Sequence, residues 1–149
     1  AMPLSDGSQA FLAQERLVIA VRAAASIEAF LERTIEWTRQ RKAFAQPVFD
    51  FQHTRFRLAD AKAQSVMLRT FVDDCLALHL RGELSAERAA MAKLNASEMQ
   101  NRLLDEFLQM HGGQGFMAEG IGSAWVDARV ARIYGGSNEI MKEIVARTL

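Results

Sequence analysis

The chain has 149 residues, half of them hydrophobic, and its 18 Lys plus Arg balance 18 Asp plus Glu. That length and apolar content suit one domain with a sizeable core and no metal or disulfide staples. The neutral balance argues against a nucleic-acid binder, which needs a basic excess to neutralise phosphates. The single cysteine, Cys75, allows no disulfide within the chain and reads as a buried reduced thiol.

Residues 1–9 (AMPLSDGSQ) are small and polar and read as a flexible lead-in or, with Ala1 ahead of Met2, a remnant of cloning. Beyond them, apolar residues recur at spacings of three and four, and proline is confined to Pro3 and Pro47, so the elements are expected to be helices. A first helix is predicted from about Ala10 to about Lys42, with Ile27, Phe30, Leu31 and Ile35 on its apolar stripe; Pro47 bars its extension. A second is predicted over residues 51–80, with Leu68, Phe71, Val72, Cys75 and Leu76 inward, closed by Arg81-Gly82. Ser85 is the expected N-cap of a third, striped with Ala92, Ala96, Met99, Leu103, Phe107 and Met110 and stopped by Gly112-Gly113. Ser123 is expected to open a short fourth helix carrying Val126, Val130 and Ile133 inward. Gly135-Gly136 breaks it, and Ser137 caps a last helix with Ile140, Ile144 and Val145 inward. The expected fold class is all-α: an antiparallel up-down four-helix bundle over residues 10–149 with an additional short C-terminal helix.

No apolar run reaches the ~18 residues that span a bilayer, so no membrane span is expected, and the start does not read as a signal peptide. His53, His79 and His111 are the only histidines and none belongs to a ferritin-like Glu-x-x-His pair, so no metal site is expected. The glycines of HGGQG (111–115) and YGGS (134–137) sit where helices start or stop. They either cap helices or let the backbone approach an anionic ligand with free N–H groups. RQRK (39–42) either complements a helix C-terminus or grips a pyrophosphate. Glu15, flanked by Phe11, Leu12, Leu17 and Val18, is either solvated or, if desolvated, a base of raised pKa.

RQRKAFAQPVFDFQ (39–52), QMHGGQGF (109–116) and VDARVARIYGGSNEIMKEIVAR (126–147), in this order, resemble the C-terminal domain of acyl-CoA dehydrogenases from about Gln14 to Leu149. QERLVIA (14–20) and IYGGSNEIMKE (133–143) look most like the long-chain type. The resemblance implies that an N-terminal helical domain and a middle β-domain are absent from this chain, and that the chain alone is inactive. It implies FAD held partly between subunits, with Arg41 on the pyrophosphate, Phe44 and Gln52 on the adenosine side, and Gln109 with Gly112 and Gly113 completing that crossing site. Ser137 and Glu139 would lie near the flavin of their own subunit. The substrate is an acyl-CoA thioester, desaturated at its α,β bond, with Arg16, Tyr134, Gly135 and Gly136 at the substrate. The family places its catalytic carboxylate either in the turn, here Gly135, or on the first helix, where Glu15 stands, so Glu15 is the implied base. Ala45 replaces the family's glycine after RxxF, which would strain a turn that needs positive φ. Electron-transfer flavoprotein is the implied acceptor; oxidase-like reoxidation by oxygen and a non-catalytic helical assembly module are the alternatives. A homodimer or homotetramer is expected. The alanine- and arginine-rich composition suggests a bacterial cytoplasm, with the mitochondrial matrix as second choice.

Overall fold

The computed structural model describes residues 6–117 and 120–149, with side chains from Phe11 onward. Helix α1 runs over Asp6–Gln40, four residues ahead of its predicted start; the rest of the expected lead-in, residues 1–5, lies outside the described residues. Helices α2 (Gln52–Leu80), α3 (Ala86–His111), α4 (Gly113–Phe116), α5 (Ile121–Arg129) and α6 (Asn138–Ala146) follow, with 3-10 turns at Val48–Asp50 and Val130–Arg132.

Side-chain pairs set the helix directions. Arg57 meets Glu106, Gln64 meets Arg102 and Asp74 meets Arg88, so α2 and α3 run antiparallel. Trp37 stacks on His111 at 5.3 Å, while Arg16 and Lys93 meet one shared turn, so α1 runs parallel to α3. Trp125 bonds Asp105, Arg132 bonds Glu98 and Thr148 bonds Glu87, so α5, the 3-10 turn and α6 together descend along α3 as the fourth member. The result is the expected up-down bundle, its fourth helix broken at Gly135-Gly136.

Helix α3 lies at the centre. Ala89, Ala90, Ala92 and Ala96 are fully buried, and side chains this small let neighbouring helices approach closely. Ile27, Leu31, Val72, Leu103, Leu104 and Phe107 fill the space around them. Cys75 is also fully buried, and burial pushes its thiol up, partly opposed by Arg88. Ser85 caps α3 as expected, its hydroxyl accepting from the Arg88 N–H at 3.1 Å.

Four local expectations need correcting. Leu76 of α2, expected inward, is exposed. Helix α5 starts at Ile121, not Ser123, whose hydroxyl instead bonds the Gly120 carbonyl. Val126, Val130 and Ile133 face outward, and Ile121, Ala128 and Ala131 face the core. The reason is close approach: Asn101 of α3 donates to the Ala128 carbonyl at 2.9 Å, which leaves room there only for small side chains. In α6, Met141 is the buried residue and Ile140 is half exposed, with Ile144 and Val145 between these extremes.

Past α1 the chain makes a small hairpin that periodicity did not show: β1 (Lys42–Ala43) pairs antiparallel with β2 (Gln46–Pro47). Its two-residue turn has positive φ at both Phe44 (51°) and Ala45 (66°), the type I′ geometry that favours glycine or asparagine. Ala45→Gly is therefore expected to stabilise the protein by about 0.5–1 kcal/mol, the relieved strain exceeding the entropy glycine adds to the unfolded chain. A thermal melt checks this; an unchanged or lower Tm counts against it.

Candidate functional site

The break between the 3-10 turn and α6 gathers four buried polar side chains, Arg16, Lys93, Ser97 and Asn138. Gly135 and Gly136 both have positive φ (66° and 92°). A Cβ on Gly135 would lie 2.6 Å from Ile19 Cδ1, and one on Gly136 would lie 2.9 Å from Met141 Cε, so a side chain at either would push aside a flexible tip and be strained by the positive φ. Arg16, 8% exposed, donates from Nε to the Gly135 carbonyl at 3.4 Å. Burial lowers the Arg16 pKa, with Glu15 partly opposing. Lys93, fully buried on α3, donates to the Gly136 carbonyl at 2.8 Å and to Asn138 Oδ1 at 2.7 Å. Asn138 donates onward to Ser97 and Glu98, and Glu98 also holds Arg132.

Glu15 is exposed, one helical turn before Ile19 and so on the face of α1 that meets Gly135. Tyr134 is exposed beside the turn and, with Ile19, Arg22, Ala23, Asp127 and Ala131, lines a cleft of about 210 Å³. On its other side Arg16 lines a groove of about 400 Å³ with Leu12, Ile140, Ile144 and Arg147. Ser137 occupies the N-cap position of α6 as expected, but its hydroxyl makes no capping bond. The Glu139 carboxylate is held below the usual range by its own backbone N–H and then by the Ser137 hydroxyl beside it.

The remaining sequence-predicted residues meet at the opposite end of α1. The Trp37–His111 stack ties the hairpin end of α1 to the end of α3, and His111 Nδ1 lies 2.8 Å from the Phe107 carbonyl. Arg41 and Gln52 are exposed, and Phe44, 93% exposed, projects from the turn with its edge toward Phe51. Gln109 lies with Val48, His53, Thr54 and Arg57 along a groove of about 390 Å³, and Gly112 and Gly113 follow it at the exposed end of α3. Two clusters thus form. Glu15, Arg16, Tyr134, Gly135, Gly136, Ser137 and Glu139 make one; Arg41, Phe44, Gln52, Gln109, Gly112 and Gly113 make the other. Among the described residues, no group of three His, Cys, Asp or Glu side chains is placed to hold a metal ion, and no helix is long and apolar enough to cross a membrane.

Sequence reasoning missed Lys93, Ser97 and Asn138. The available signal was a lysine on the apolar stripe of α3, four residues after Ala89 and three before Ala96.

The family model for the acyl-CoA dehydrogenase C-terminal domain matches residues 6–149. This chain belongs to the acyl-CoA dehydrogenase family. It is 48% identical over 139 residues to the mitochondrial long-chain specific acyl-CoA dehydrogenase of Rattus norvegicus, covering 93% of this chain and 32% of the rat protein. The crystal structure of an acyl-CoA dehydrogenase from Geobacillus kaustophilus is similar with a TM-score of 0.89 at 40% identity, over 92% of this chain and 36% of that one. An acyl-CoA dehydrogenase from Bacillus anthracis, complexed with FAD, is similar with a TM-score of 0.88 at 28% identity, over 93% of this chain and 27% of that one. The chain spans about a third of the length of the rat relative. The acyl-CoA dehydrogenase family is FAD-dependent.

Proposed function

We propose that this domain serves an FAD-dependent enzyme that desaturates acyl-CoA thioesters between Cα and Cβ, with Glu15 as the base. The observation that carries the reading is the placement of an exposed carboxylate on the face of α1 that meets the Gly135-Gly136 turn. The α-carbon of a thioester is weakly acidic, so its proton leaves only if a carboxylate accepts it while donors stabilise the negative oxygen. Glu15 would take the α-proton, and the Gly135 N–H would hold the thioester carbonyl. The groove beside Arg16 would take the CoA moiety. The cleft lined by Ile19, Ala23 and Tyr134 offers room for the acyl chain.

The residues of both clusters fit FAD. At the hairpin, Arg41 is exposed and has no carboxylate partner among the described residues, as a pyrophosphate ligand requires. Phe44 is an aromatic ring held out to solvent from a strained turn, an arrangement that suits stacking on a partner. With Gln52, Gln109, Gly112 and Gly113, these residues would hold the pyrophosphate and adenosine, while Ser137 and Glu139 would lie near the flavin ring. When bound, the flavin supplies the acceptor for the β-hydrogen as hydride. Glu15 and Arg41 are separated by about 39 Å of helix axis, farther than the two ends of one FAD molecule. The two clusters would therefore serve two cofactors, which supports a homodimer or homotetramer that shares them. Electron-transfer flavoprotein is the proposed acceptor, and the bacterial cytoplasm the proposed compartment.

The test is anaerobic titration of the full-length protein with acyl-CoA thioesters of graded chain length. Bleaching of the flavin absorbance is the expected result. FAD binding with no bleaching by any thioester would move the assembly-module reading to the front.

A further inference from the structure

We propose that Lys93 is a positioning residue for the reaction: its buried ammonium fixes the Gly135–Ser137 turn in the orientation that substrate activation needs. The inference rests on the function proposed above.

A fully buried ammonium is costly unless its donors are used, and replacing such a group with an apolar side chain of similar shape is often neutral for stability. Stability alone therefore gives little reason to keep a lysine among the alanines of α3. Both hydrogen bonds of Lys93 go to one stretch of chain, the Gly136 carbonyl and the Asn138 side chain. Arg16 takes the neighbouring carbonyl, that of Gly135. The described residues contain no cis peptides, and in a planar trans peptide the N–H points opposite to its carbonyl. Two successive carbonyls held by buried cations thus fix the peptide planes on the far side of Gly135 and Gly136, and with them the place of Gly135, whose N–H is the proposed partner of the thioester carbonyl. The Gly135 N–H has no backbone carbonyl partner among the described residues.

Two glycines in succession would leave such a turn free to reorient, so the orientation must come from outside it. The network behind Lys93 supplies this: Ser97 and Glu98 hold Asn138, and Arg132 holds Glu98. The cations also bring positive charge behind the turn. Burial lowers the Lys93 pKa first and Arg16 adds to that, while Glu139 and Glu98 oppose it. In the protonated form these cations would stabilise a thioester oxygen that becomes negative at the turn as Glu15 removes the α-proton.

The experiment uses the full-length holoenzyme and a 3-thiaacyl-CoA, whose β-sulfur acidifies the α-carbon and whose chain has no β-hydrogen to transfer. Its bound anion is read as a long-wavelength charge-transfer band with the oxidised flavin, titrated against pH. In Lys93→Met the midpoint is expected to rise by about one unit, a tenfold loss of α-carbon acidity, with FAD content unchanged. Should Lys93→Met give no soluble holoenzyme, Lys93→Gln, which keeps a shorter neutral donor, is titrated instead, and a smaller rise is expected. A midpoint equal to wild type in a variant with full FAD content overturns the role of Lys93. Absence of the band in wild type with FAD bound sinks the proposed function itself.

Discussion

Glu15→Gln in the full-length holoenzyme is expected to slow flavin reduction by acyl-CoA about 10²–10⁴-fold, the usual worth of a positioned general base. Glutamine keeps the size and polarity of the side chain and removes only its ability to take a proton. Glu15 is exposed in this domain, so the substitution disturbs no packing and thermal stability should stay at the wild-type value. FAD content should stay as well, because the cofactor contacts proposed here lie on other residues. Stopped-flow absorbance under anaerobic conditions measures the rate directly. A variant that reduces its flavin at roughly the wild-type rate would remove Glu15 from the role of base and point to a carboxylate outside this chain.

Phe107→Ala is expected to have the largest effect on stability, a loss of about 3–5 kcal/mol. Phe107 is fully buried and belongs to the core shared by α1, α2 and α3. Truncation removes a large apolar surface and leaves a cavity in the core. Its carbonyl also lies beside His111, the ring on which Trp37 stacks, so the loss falls one turn from Gln109 and Gly112. The variant should therefore melt roughly 10 °C lower and hold FAD less tightly. A Tm within a degree or so of wild type would mean that the core repacks around the gap.

The long helices were legible in the sequence because each buries one stripe, and Ile27, Leu31, Val72, Leu103 and Phe107 repeat at helical spacing. The same rule failed on the fourth member. Residues 121–146 carry more large apolar side chains than they bury, and beside Ile121 and Met141 the inward positions go to Ala128 and Ala131. At Ala128, whose carbonyl Asn101 reaches, size and not hydrophobicity selected the buried residue. The hairpin escaped because its strands are two residues each, too short for any period, and its Phe44-Ala45 turn lacks the Asn-Gly signal.

The candidate site was legible where glycines interrupt helices and charges cluster at their ends, as at Gly135, Gly136, Arg41 and Glu15. What could not be read was the layer behind it. Lys93 and Asn138 are 45 residues apart and meet only because α6 descends along α3. The family resemblance, and not the spacing of motifs along the chain, put Gln109 and Gly112 with the hairpin cluster and not with the turn. The grouping follows from α1 and α3 running parallel, which brings the ends of both helices together at Trp37 and His111.

The distance between the two clusters has a genetic consequence. If each cofactor is shared as proposed, one protomer lends Glu15 and its partner lends Arg41 to the same active centre. Two protomers, one damaged at Glu15 and the other at Arg41, would together concentrate both lesions in one centre and leave the other wholly intact. Coexpression of two inactive alleles would then restore function, with about a quarter of all centres active when dimers assort at random.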